Sequence, residues 1–184
     1  MKTKEENFIL TLINKLKSER IFEQIEKEIK ETKNNWDAVA KKKVGEVVKR
    51  VFYEFFPNTD LAKHVYVESK TNPFELFLGN QVERKNPHNL FGGLGVFPDI
   101  AIRIPAFKTK LIFIELDHGR NAAKLKTSLG KAAFNCITPD CDYCLELFHN
   151  RGKKPLKEIL DRPKERAILE KFETAFRTRL YLFE

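Results

Sequence analysis

Residues 4–18 and 20–33 carry apolar side chains at helical spacing: Phe8, Leu12, Ile13 and Leu16, then Ile21, Ile25 and Ile29. A third helix is predicted from Asn35, a good N-cap, to about Phe56, burying Val44, Val47, Val48, Val51 and Phe55. Pro57-Asn58 ends it. The texture then changes. HVYVES (64–69) and FELFLG (74–79) read as strands, and the polar, Gly-containing stretch Asn80 to Gly95 reads as a loop. Residues 97–104 and 110–117 predict two more strands joined by a turn at 105–110, and 121–134 predicts a helix. The pattern over 136–149 selects neither class, while 155–161 and 163–178 read as helices. Helices, a strand cluster, then helices again predict an α/β domain with a central mixed β-sheet flanked by helices. One domain is expected, with a helical N-terminal segment (1–34), a core (35–135) and a C-terminal helical region (136–184).

The two strands flanking 105–110 contain acids where a sheet interior has no ordinary use for them. In DIAIRI, Ile100, Ile102 and Ile104 share one face, and Asp99, Ala101 and Arg103 the other. In LIFIELD, Leu111, Phe113, Glu115 and Asp117 share a face, and Ile112, Ile114 and Leu116 the opposite one. A hairpin connection brings Asp99 near Glu115 and Asp117 at one end of the sheet. A single acid at a strand end is normally just solvated. Three together repel one another and raise their own pKa values unless a cation compensates. Oxygen ligands favour magnesium, manganese or calcium over zinc.

Charge adds a direction. The chain has 184 residues and a formal net charge of +8, and seven Lys or Arg against two acids lie between Arg103 and Lys131. Such a surplus suits a polyanionic partner. No apolar run approaches the roughly 20 residues that span a bilayer. The N-terminal apolar run is too short for a secretory signal, so a cytoplasmic location is expected.

Pro98-Asp99, followed sixteen residues later by Glu115-Leu116-Asp117 at the end of an apolar strand, resembles the motif of the PD-(D/E)xK nuclease superfamily, over about residues 40–135. In size and in its ELDHGR ending, the chain is most similar to the small subunits of heterodimeric type IIS restriction endonucleases. The resemblance implies a restriction-endonuclease-like fold and a Mg2+-dependent (or Mn2+-dependent) endodeoxyribonuclease that hydrolyses phosphodiester bonds. It implies Asp99, Glu115 and the main-chain carbonyl of Leu116 as metal ligands. Asp117 stands where the superfamily has Lys, which departs from the pattern. A further acid on the preceding helix is implied, with Glu46 first and Glu54 second, although an exposed helix-face glutamate is the plainer reading of both. Double-stranded DNA and a larger DNA-recognising endonuclease subunit are the implied partners, with one strand cut per site.

With Asp at 117, positive charge at the transition state must come from elsewhere. His118, Arg120, Lys124, Lys126 and Lys131 follow on the loop and helix. His118 alternates to the opposite face and is expected to act indirectly. The four cations are candidates for phosphate contacts, and Lys124 and Lys131 are seven apart on one helical face.

Cys136, Cys141, Cys144 and His149 could in principle hold a structural Zn2+. Their spacing matches none of the common finger patterns, and buried free thiols are preferred. NPHNLFGGLG lacks the spacing of a nucleotide cradle. The aromatics of YEFF (53–56) and YLF (181–183) are candidates for a partner surface. The competing readings are a homodimeric type II restriction enzyme, a junction or repair nuclease of the same fold, and a non-catalytic nucleic-acid-binding module.

Overall fold

In a computed structural model of the chain, residues 3–69, 98–105, 111–137 and 141–184 are described. The predicted strand at 74–79, the loop at 80–95 and most of the turn at 105–110 lie outside them.

The chain opens with three helices, α1 (Lys4–Ser18), α2 (Ile21–Thr32) and α3 (Trp36–Phe55). Thr3 and Glu6 close a capping box on α1, and the Asn35 side chain accepts the Asp37 N–H at the start of α3. A short α4 (Leu61–His64) leads into β1 (Val65–Val67). β2 (Ile100–Arg103) and β3 (Leu111–Gly119) follow, then α5 (Ala122–Cys136), β4 (Cys141–Asn150), α6 (Leu156–Leu160), α7 (Pro163–Phe176) and β5 (Thr178–Phe183).

The five strands form one mixed sheet in the order β1-β2-β3-β4-β5. β1, β2 and β3 pair antiparallel, whereas β3, β4 and β5 run parallel, with helices crossing between them. The face alternation read from the sequence is observed. Ile100, Ile102, Ile112, Ile114 and Leu116 join Leu145 and Leu147 in a core shared with α1, α2 and α3. The opposite face carries Ala101, Leu111, Phe113 and Cys144 against Ala132 and Cys136 of α5. Leu125 of α5, Phe148 and Leu156 of α6 extend that second layer.

The C-terminal region differs from the expectation. The stretch 136–149 mostly becomes β4, and the second predicted helix stops at Phe176, so 178–183 forms β5. Phe183 is accordingly buried and stacks on Phe22 with centroids 4.2 Å apart. It is a core residue rather than part of a partner surface. In YEFF (53–56), Phe56 is buried, Phe55 is half-buried against the core and Tyr53 is exposed.

Candidate active site

The register that builds the sheet also lines up its acids. Ile100 faces Ile114 in the antiparallel β2–β3 pair, so the next pair outward is Asp99 opposite Glu115. On the other side, Glu115 faces Glu146 in the parallel β3–β4 pair. Asp99, Glu115 and Glu146 therefore stand in a row across three neighbouring strands, and all three are buried. The Glu68 N–H, just past β1, donates to the Asp99 carbonyl at 2.9 Å, which places a fourth acid beside the row.

Asp99 and Glu115 are brought together as the sequence suggested. The Leu116 N–H donates to Asp99 Oδ2 at 2.8 Å, so Asp99 reaches across to the main chain of β3. Leu116 thus enters the site through its backbone, its side chain lying in the opposite core. Lys131 of α5 lies 2.6 Å from Glu115 Oε2, and the Asn135 amide, one turn on, donates to Glu115 Oε1. Lys41 of α3 lies 2.9 Å from Asp99 Oδ1 and also grips Glu68. Lys124 lies 3.0 Å from Asp117 Oδ1. Lys124 and Lys131, two turns apart on one face of α5, pair with Asp117 and Glu115, two residues apart on one face of β3, so one helix face covers both acids.

The electrostatics follow. Burial, reinforced by the nearby Asp99 charge, pushes the Glu115 carboxyl up to about 8 against the pull of Lys131 and Asn135. Burial also raises Asp99, opposed by Lys131, Lys41 and the Leu116 N–H. Burial alone would lower Lys41 and Lys131, yet the carboxylates beside them win, and both ammonium groups are held charged. Burial and then Glu115, Asp117 and Asp99 raise Glu146, whose two carboxyl oxygens have no hydrogen-bond partner.

Several expectations are corrected. Glu46 is exposed on α3 beside Glu19 and Arg50, and Glu54 is exposed against Lys15 at 3.7 Å, so neither reaches the row of acids. The residue that α3 delivers is a cation, Lys41. Lys124 and Lys131 are exposed at the protein surface but already engaged by carboxylates, whereas Arg120 and Lys126 are exposed beside them. His118 does alternate away from Asp117. Its ring packs on Trp36 (centroids 4.3 Å), and its Nδ1 is 3.3 Å from Arg151 Nη1. Burial and Arg151 lower its pKa. It has no contact with Asp99 or Glu115 that would give it a direct catalytic role.

The cysteines converge while His149 does not. An extra residue at Asp142 shifts the β3–β4 register, leaving Cys141 and Cys144 on the α5 face with Cys136. The Cys136 and Cys141 sulfurs are 3.6 Å apart, and all three thiols are free and buried. Hydrogen bonds with Cys141 and Cys144 hold the Cys136 thiol below its ordinary pKa, local tuning that the sequence did not suggest. His149 lies five residues past Cys144, roughly 16 Å along the strand. It packs on Phe22 on the other side of the sheet, so the four do not form one zinc site.

Among the described residues, no group of three or more His, Cys, Asp or Glu side chains is placed to hold a metal ion as the side chains stand. The donor set nevertheless suits a hard divalent ion: adjacent carboxylates of Asp99 and Glu115, with unsatisfied oxygens on Glu146 behind them. Lysines now occupy the positions from which an ion would bind Asp99 and Glu115. Sequence reasoning missed Lys41, Glu68 and Glu146. The signal for Glu146 was present in CLELF, an acid inside an apolar run like that of FIEL.

No family model, no curated protein and no solved structure matches this chain. Among the described residues, no helix is long and apolar enough to cross a membrane.

Proposed function

We propose that this chain is a Mg2+-dependent endodeoxyribonuclease of the PD-(D/E)xK kind, acting as the one-strand-cleaving small subunit of a heterodimeric type IIS restriction enzyme. The observation that carries the reading is the meeting of Asp99 and Glu115 at adjacent sheet positions beside Lys131 and Lys41. It supplies both halves of what phosphodiester hydrolysis needs: hard oxygen ligands, and cations for a phosphorus centre that gains negative charge.

Asp99 and Glu115 would hold the ion, with the Leu116 carbonyl a further oxygen. When bound, Mg2+ lowers the pKa of an attacking water and stabilises the departing 3′ oxygen. Lys131 and Lys41 answer the problem posed by Asp117. They bring ammonium groups from α5 and α3 to the place the superfamily fills from the strand, and each is free to turn toward phosphate once its carboxylate holds an ion. Arg120 and Lys126 grip the backbone of double-stranded DNA nearby. The described residues supply one such site, which suits cleavage of one strand alongside a larger DNA-recognising subunit.

The same lysine pairing favours a second reading, a nucleic-acid-binding module whose acids are permanently neutralised. Two measurements separate them. For the nuclease, millimolar Mg2+ or Mn2+ raises the thermal midpoint of the wild type and leaves Asp99→Asn unmoved. Supercoiled plasmid is nicked, not linearised, when the protein is combined with a candidate larger endonuclease subunit in the presence of Mg2+. Absence of both the metal-dependent shift and the nick overturns the proposal in favour of the binding module.

A further inference from the structure

Glu146 is the one acid of the row with neither a hydrogen-bond donor nor an ion-pair partner in contact. Asp99 has the Leu116 N–H and Lys41, Glu115 has Lys131 and Asn135, and Asp117 has Lys124. Glu146 is fully buried in the middle of β4, yet neither of its oxygens has a hydrogen-bond partner. Burying a carboxyl without a donor is costly, and the Glu115, Asp117 and Asp99 carboxylates add to that cost against the opposing charge of Lys131. An apolar residue of the same size would serve packing better.

The position explains what packing does not. Glu115 and Glu146 are register partners on parallel strands, so their main chains run about 4.8 Å apart and their side chains leave the same sheet face beneath α5. Two carboxylates so placed span a single divalent ion, whose ligand bonds are about 2.0–2.6 Å long. The way in is short. The Lys131 side chain that pairs with Glu115 is itself 49 % exposed, so an ion that displaces it from Glu115 comes straight from solvent.

We propose that Glu146 is a ligand of the divalent cation, coordinating directly or through one water the same ion as Glu115. This rests on the nuclease reading of the site and adds a third strand to it.

The test is Mn2+ titration of the metal-free protein, followed by the paramagnetic resonance signal of free Mn2+. Glu146→Gln keeps the shape and removes the charge, Glu146→Met removes every oxygen, and Glu46→Gln controls for an exposed glutamate on α3. Both Glu146 variants should bind Mn2+ at least about tenfold more weakly than wild type, the scale for losing a partner of a metal site. Their urea midpoints without metal should be unchanged or higher, since an unpartnered acid is gone. Glu46→Gln should bind as wild type does. Either folded Glu146 variant binding Mn2+ as tightly as wild type overturns the inference. If Asp99→Asn then still loses Mn2+, the nuclease reading survives that failure, whereas a wild type that takes up no Mn2+ ends both.

Discussion

Glu115 binds its proton more tightly in the folded protein than in the unfolded chain, because burial and Asp99 raise its carboxyl from 4.5 to about 8. Between those values the folded state carries the extra proton, so this group's contribution to stability falls as pH rises through the window. The Glu115→Gln variant lacks that titration. In EDTA, its urea midpoint relative to wild type should therefore climb steadily from pH 5 to pH 8, and a flat difference would contradict the raised carboxyl. Lys131→Met tests the same pair from the other side. It leaves Glu115 without its cation and should cost about 1–2 kcal/mol, less than a fully buried pair because Lys131 is half exposed. Asp99 and Glu115 were legible in the sequence because an acid in an apolar, alternating run violates the pattern around it. Lys41 and Glu68 were not, because a lysine on a helix and a glutamate at a strand end violate nothing. Only the fold places Lys41 against Asp99, 58 positions along the chain.

At the level of elements, the sequence speaks where periodicity is long and caps are standard, as in α1 and α3, whose starts at Thr3 and Asn35 follow ordinary capping chemistry. It is silent at the end of α7. That helix stops at Arg177, which adopts φ 50° without a glycine to announce the turn, and β5 begins at once. The bulge at Asp142 likewise breaks the alternation that would have marked β4 as a strand. Lys33, the exposed C-cap of α2, sits at φ 57°. Replacing it by Gly relieves that left-handed conformation and should stabilise the protein by about 1 kcal/mol in urea denaturation. Gly45 shows the opposite constraint. A Cβ there would lie 2.8 Å from Val67 Cγ2, where α3 crosses β1. Gly45→Ala gains helix propensity but forces the helix and strand apart, and a net loss of about 1–2 kcal/mol is expected. Because Lys41 lies one turn earlier on α3 and Glu68 directly follows β1, the same substitution should also weaken Mn2+ binding, which unfolding alone would not do at temperatures where the variant remains folded.

For the molecule as a whole, the charge of +8 matters less than where unpaired cations stand relative to the acids. Lys124 and Lys131 face solvent but are already engaged by Asp117 and Glu115, so without a divalent ion they offer little to a phosphate. Arg120 and Lys126, exposed on the loop and helix beside them, remain available. Two phosphate contacts release few counterions, and the logarithm of affinity for duplex DNA in EDTA should fall against the logarithm of salt with a slope of about −2. Lys126→Ala should make that slope shallower by about one and weaken binding to all sequences alike, since a phosphate contact carries no base information. A slope near −6 would mean that a broader basic surface, including Lys153 and Lys154 past β4, holds the duplex. On the proposed nuclease reading, the bound strand would then lie across the carboxyl ends of β3 and β4 instead of along α5, a different path past the same carboxylates.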